Sequence, residues 1–249
     1  MIQLFLIGFI LGILYAFIGE KLPILVPDVK KKEANSWIFN LFIGVVNGVI
    51  LIISYIGYGL CYEFFLSIII TALFLIIFIS DFKYMIILDS PLILASILVL
   101  ILKYIYFDLK TVGLSILSGG LLFVLMLGVG LLGKKIFKKE ALGGGDIKLA
   151  FVIGLILGLR LGLISIILSS LMALPYALAS IMLSREKEVP YGPFIISSLV
   201  LVFIFSEKFG RLISLLWKFA FFRMYGIIYT QEKGCFLMAE LSSLSKKQL

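Results

Sequence analysis

Apolar runs of membrane-spanning length follow one another almost from end to end of this chain, and no other feature constrains its fold as much. A spanning helix needs about 20 mainly apolar residues. Eight candidate runs are legible: Leu4 to Ile18, Trp37 to Ile56, Phe64 to Ile79, Pro91 to Tyr106, Val112 to Leu132, Ile147 to Gly158, Gly162 to Leu183 and Phe194 to Phe205. The expected fold is therefore an all-α integral membrane protein with about eight transmembrane helices. Pro175 is expected to bend the seventh. Composition agrees: 62% of residues are hydrophobic and 14% charged, against about 45–50% and about 25% for soluble domains. The first run reads as a retained helix rather than a signal peptide, because no basic residue precedes it and Gly19-Glu20-Lys21-Leu22-Pro23 follows it in place of a small-residue cleavage site.

Charge orients the set. With the amino terminus outside, the loops on the cytoplasmic side hold Lys21, Lys30, Lys31, Lys32, Lys83, Lys134, Lys135, Lys138, Lys139, Arg185 and Lys187, and the opposite loops hold Lys103, Lys110 and Arg160. This asymmetry follows the positive-inside rule. It also explains the net charge of +8 without nucleic acid, since the basic residues lie in short clusters between apolar runs rather than on one polar face. Residues 1–206 read as one polytopic membrane domain with a short first cytoplasmic loop, 19–36. Residues 207–249, apolar but carrying Lys218 and Arg223 and ending Ser- and Lys-rich, read as an amphipathic or poorly ordered tail.

The inventory of reactive groups is narrow. The chain has no histidine and two cysteines, Cys61 and Cys235. Histidine-based triads are excluded within the chain, and two cysteines fall short of the four ligands of a structural zinc site. Carboxylates at helix ends draw attention instead. Asp81 ends the apolar run that reaches Ser80, and Asp146 follows Gly143-Gly144-Gly145. The topology puts both at cytoplasmic helix ends and at similar depth. Two carboxylates that meet share one proton, and their titration belongs to the pair. One member then takes a proton from water while the other hydrogen-bonds a scissile carbonyl, which is the chemistry needed to cut an amide. The glycines give a substrate backbone room beside the carboxylate.

Plainer roles stand beside these. Asp146 fits an N-cap before Ile147, Asp81 an ordinary juxtamembrane charge, and Asp89, just before Pro91, the N-cap of the next helix. Glycine runs also occur where membrane helices pack closely. Lys83 and Lys148 each follow an aspartate by two residues, a spacing that does not face it on a helix, so both read as snorkelling anchors. A transporter or a non-catalytic scaffold remains the alternative class. Against a transporter, the helix interiors carry little polarity beyond Asn40 and Asn47, which suit helix–helix contacts, and no inverted repeat is visible.

Together these residues resemble the type IV prepilin peptidase family, bacterial membrane aspartyl proteases with a GxGD motif. Asp81-Phe82-Lys83 leading to Asp89 looks like the family's first catalytic aspartate and its downstream acid. Gly143-Gly144-Gly145-Asp146-Ile147-Lys148 looks like the GxGD motif with its following lysine. Pro190-Tyr191-Gly192-Pro193-Phe194 looks like the segment that opens the last helix, and Glu20-Lys21-Leu22-Pro23 resembles the basic-Leu-Pro segment after the first. The resemblance covers about residues 1 to 205. It implies that Asp81 and Asp146 are the catalytic pair, with Gly143, Gly144, Gly145, Lys148, Asp89, Pro190, Gly192 and Pro193 in substrate-binding or supporting roles. The substrates it implies are type IV prepilins or pseudopilins, cut after a glycine at the cytoplasmic side of the bacterial cytoplasmic membrane, serving pili, type II secretion or DNA uptake. Many members also hold zinc on two CxxC pairs in an enlarged first loop and methylate the new amino terminus. Residues 23–36 contain no cysteine, so no metal or cofactor and no methyltransferase activity are expected.

Overall fold

The computed structural model describes residues 1–26, 35–138, 142–182 and 190–206. Lys30, Lys31, Lys32, Lys139, Arg185, Lys187 and the tail 207–249 lie outside them. The described residues form seven helices and no strand: α1 (Ile2–Lys21), α2 (Trp37–Tyr58), α3 (Tyr62–Tyr84), α4 (Asp89–Tyr106), α5 (Leu109–Phe137), α6 (Gly144–Met182) and α7 (Gly192–Ile204), with a 3₁₀ turn at Leu22–Leu25. Six of them, α1 to α6, are long and apolar enough to cross a membrane, and α7 is apolar but shorter. The fold is all-helical and multi-pass, as expected, and the sixth and seventh runs are the two arms of one continuous element, α6.

That element is broken, and the break is at a glycine. Gly158 has φ 75° and ψ 179°, a combination essentially closed to residues with a side chain. The break falls 17 residues before Pro175, which lies inside the second arm with helical φ/ψ. Beyond the break the chain runs back on itself. A side-chain carbon at Gly162 would lie 3.6 Å from Ile153 Cγ2, whereas nine residues of straight helix would separate the two by about 13 Å. The second arm, 159–182, then runs antiparallel to α7: Ser165 Oγ meets Ser198 Oγ at 2.9 Å, and Ser169 Oγ meets the Tyr191 hydroxyl at 2.8 Å.

α3 is the central helix. Its sequence is apolar all round, with no polar stripe to turn outward, and it is enclosed by α1, α4 and α7. Ile70, Leu73 and Ile77 of α3 share one core with Leu149, Val152 and Ile153 of α6 and Ile195, Ile196 and Leu199 of α7. Outer helices instead expose Ile, Leu and Phe side chains, as on Ile10, Phe42, Ile101 and Leu121, which suits a lipid-facing surface. α1 and α2 meet through a small-residue seam. A side-chain carbon on Gly12 would lie 2.9 Å from Gly44 Cα, and one on Gly8 2.8 Å from Gly48 Cα. Each helix thus contributes a GxxxG pair, which lets the backbones touch.

Asn47 bridges this seam as expected, its Nδ2 donating to the Gly8 carbonyl at 2.6 Å. Asn40 does not behave in the same way, since its Oδ1 is buried with no hydrogen-bond partner. Asn47→Ala is expected to lower stability in detergent by about 1 kcal/mol, the size of an interhelical hydrogen bond between membrane helices. A denaturation series comparing the variant with the parent measures it.

Lys103 is a further departure. Placed by the sequence in an outer loop, it lies in the last turn of α4 and is buried, with its ammonium donating to Ser115 Oγ of α5 at 2.7 Å. The apolar stem lets a lysine occupy a helix end while its charge finds a polar partner.

Candidate active site

α3 delivers Asp81 at its last turn. The helix ends four residues later because Met85 turns left-handed (φ 55°) and donates its N–H to the Asp81 carbonyl at 2.8 Å, a common way to stop a helix. Asp81 is 5% exposed, which excludes an ordinary interfacial charge. Its Oδ2 accepts the backbone N–H of Gly192 at 3.0 Å. The approach demands glycine: a side-chain carbon there would lie 2.7 Å from Asp81 Oδ2. Pro190, Gly192 and Pro193 are all buried, and Pro193 occupies the first turn of α7, where its fixed φ favours a helix start.

Asp146 comes from the opposite side. It is the third residue of α6 rather than its N-cap. Its backbone N–H donates to the Gly143 carbonyl at 3.1 Å, and its Oδ2 accepts the Gly143 N–H at 3.2 Å. This reciprocal pairing has the form of a capping box, in which the carboxylate reaches back to the N-cap amide. Asp146 is 7% exposed, and its Oδ1 is buried with no hydrogen-bond partner. A buried carboxylate oxygen left bare is costly, and such groups mark sites awaiting water or substrate.

The two aspartates lie within electrostatic reach of each other. Ile87, in the loop between α3 and α4, lies between the elements that carry them. Its Cβ is 2.6 Å from where a side-chain carbon on Gly145 would stand, and its Cδ1 is 2.9 Å from the same position on Gly192. The three glycines before Asp146 therefore differ. Gly143 is close-packed against Asp146 Oδ2, Gly145 faces Ile87, and Gly144 faces open space. The position free to vary is the middle one of the G-x-G-D pattern.

Both neighbouring lysines, read from the sequence as snorkelling anchors, have side-chain partners on other helices or loops. Lys148 Nζ lies 2.7 and 2.6 Å from the two carboxylate oxygens of Asp89. Asp89 is the first residue of α4, with Leu88 at the N-cap and no side-chain cap bond, so its carboxylate clamps the start of α4 to the start of α6 instead of capping its own helix. With both side chains about half exposed, the pair contributes little stability. Lys83 Nζ lies 3.4 Å from Glu20 Oε1 and 2.9 Å from Asn35 Oδ1, and the Asn35 N–H donates to Glu20 Oε1 at 2.8 Å. Glu20 is buried. This cluster ties α1 and the start of α2 to the end of α3, on a different side of α3 from Asp81.

Sequence reasoning missed Ile87, the Glu20–Lys83–Asn35 cluster and the fixing of Tyr191. Glu20 and Lys83 carried a readable signal, as opposite charges at the ends of two apolar runs. Ile87, one apolar residue among Met85, Ile86 and Leu88, carried none.

Residues 68–178 match the type IV leader peptidase family, and this span contains Asp81, Asp89, Gly143 to Asp146 and Lys148. Through that segment the chain is similar to the type IV leader peptidase family. Neither the curated proteins nor the solved structures compared with it gave a match. The similarity supports a peptidase, and the helices are those of a multi-pass membrane protein. Pro190, Gly192 and Pro193 fall beyond the matched span. The hydrogen bond from Gly192 to Asp81 joins them to it in space.

Proposed function

We propose that this protein is an aspartic endopeptidase that removes the basic leader of type IV prepilins or pseudopilins, cutting after a glycine, with Asp81 and Asp146 as the catalytic pair. The carrying observation is the bare, buried Oδ1 of Asp146 within electrostatic reach of a second buried carboxylate. Two such groups share one proton. The ionised member removes a proton from a water molecule as its oxygen attacks the scissile carbonyl carbon. The protonated member donates to the carbonyl oxygen. When the tetrahedral intermediate collapses, the C–N bond breaks and the leaving amine takes the proton from the carboxyl that received it from water.

Residues 1–206 form the catalytic domain in this reading, and 207–249 a tail outside it. Gly143 and Gly192 hold the two carboxylates by their N–H groups, while Gly145 and Ile87 shape the approach of the substrate backbone. Lys148 and Asp89 hold the wall formed by α4 and α6. The dyad faces the cytoplasm across a bacterial cytoplasmic membrane, and the positive-inside rule supports this orientation, because Lys21, Lys83, Lys134, Lys135 and Lys138 end helices at the dyad's end of the bundle. N-methylation is absent, and no cofactor is required. In support, residues 19–36 contain no cysteine to build the zinc loop found in many members.

Mass spectrometry of a synthetic peptide tests the reading. The peptide carries a basic leader, a glycine and an apolar segment, and is incubated with the purified chain in detergent. The expected products are the leader ending in glycine and the remainder with a free, unmethylated amino terminus. An intact peptide across a panel of pilin-like sequences would overturn it in favour of a non-catalytic scaffold.

A further inference from the structure

Tyr191 stands between the two features that fix the site, the returning arm of α6 and the N–H that grips Asp81. Its hydroxyl lies 2.8 Å from Ser169 Oγ and 2.9 Å from Ser170 Oγ. Both serine hydroxyls also lie within hydrogen-bond distance of the Ile166 carbonyl, at 2.7 and 3.1 Å. Each hydroxyl has one proton. With Ser169 committed to the shorter carbonyl bond, Tyr191 donates to Ser169 and Ser170 donates to Tyr191, and all three protons are used. Ser169 is fully buried, so its half of the anchor is held away from competing water, while Ser170 is exposed.

The backbone at Tyr191 is held as firmly. Its carbonyl accepts the N–H groups of Phe194 and Ile195, both at 3.1 Å. The same peptide unit ends in the Gly192 N–H that donates to Asp81 Oδ2 at 3.0 Å. A peptide unit is planar, so fixing the carbonyl and the side chain on one side aims the N–H on the other. The serines reach the phenol because the reversal at Gly158 returns the second arm of α6 alongside α7.

We infer that Tyr191 is a positioning residue for the peptidase reaction: its phenol, locked between Ser169 and Ser170, aims the Gly192 N–H at Asp81 and so holds that carboxylate in the orientation needed for proton transfer. The inference rests on the reading of Asp81 as half of the catalytic pair. The anchor touches neither substrate nor reacting atoms, so it acts on turnover and not on substrate affinity. A small misplacement of a reacting group is costly in rate.

The test compares the parent chain, Tyr191→Phe, Ser169→Ala/Ser170→Ala and all three changes combined, with Asp81→Asn alongside. Phenylalanine keeps the ring and removes only the hydroxyl. The expected result for Tyr191→Phe is a fall in kcat of about tenfold with KM unchanged. The serine pair should do the same, and the triple variant should be no worse than either, because all remove one anchor. Hydrogen exchange of the Gly192 amide on the same samples should quicken in step, and this readout needs no substrate. Unchanged exchange in Tyr191→Phe, or unchanged kcat with a lowered thermal midpoint, would overturn the inference and leave the tyrosine a packing role. A parent that cuts nothing, beside quickened exchange in Tyr191→Phe, would instead sink the reading of Asp81 as catalytic, and the anchor's role in turnover with it.

Discussion

Asp81→Asn and Asp146→Asn are each expected to lower the rate of peptide cleavage by about 10³-fold or more, within the range for loss of a general acid or base and toward its upper end. The two losses should not multiply, because a dyad that shares a proton fails as a unit. Asparagine is nearly isosteric, and its amide oxygen still accepts a hydrogen bond. The contacts from Gly192 to position 81 and from Gly143 to position 146 therefore survive, and the variants should remain folded. Thermal unfolding in detergent, measured beside the cleavage assay, separates lost chemistry from lost structure. One variant retaining full activity would remove that aspartate from the pair, and Asp89 would be the next candidate.

Gly145→Ala is expected to reduce turnover about a hundredfold, and Ile87→Ala in the same chain to restore much of it. The new methyl would stand 2.6 Å from Ile87 Cβ, far inside van der Waals contact. Either α6 or the loop between α3 and α4 must shift, and Asp146 follows directly on Gly145. A displacement near 1 Å at a catalytic group is enough for an effect of this order. Truncating Ile87 to alanine leaves its Cβ but removes the atoms at 3.3 and 3.4 Å, which frees the loop to move aside. Gly192→Ala should be as damaging but not rescued in this way, because its methyl would collide with Asp81 itself at 2.7 Å. Gly144→Ala, facing open space, should be close to silent. Equal losses at 144 and 145 would mean that backbone freedom, rather than the collision, explains the glycines.

What could be read without coordinates divides along physical lines. Burial in lipid demands long apolar runs, so the runs announced the helices and their ends to within a few residues. Asp81 and Asp146 stood out for the converse reason, since a charge at the end of such a run needs explaining. The boundary at Gly158 was legible as the end of the sixth run, but the positive φ that makes the turn there was not, because a glycine among Leu157, Leu159 and Arg160 carries no mark of its backbone angle. The pairings of Lys148 with Asp89 and of Lys83 with Glu20 were hidden for a different reason. Spacing along one helix says which residues do not face each other, and it is silent about partners from other helices. Asp89 read as a cap because its neighbours in sequence were visible and Lys148, its neighbour in space, was not. Ile87 carried no mark, since an isoleucine wedged between two glycines is defined by what surrounds it.

The reversal at Gly158 also ties the protein to the thickness of its bilayer. The first arm of α6, residues 144–157, rises about 1.5 Å per residue and so reaches about 21 Å from the dyad's end, against a hydrocarbon layer of about 30 Å. That arm alone is shorter than a bilayer of ordinary depth. Its neighbour α5, at 29 residues, is long enough to cross one. Around the short arm, lipid must thin or the surrounding helices must supply the missing depth, at a cost that grows with each ångström of mismatch. Acyl-chain length thereby becomes a mechanical load on the helix that carries Asp146.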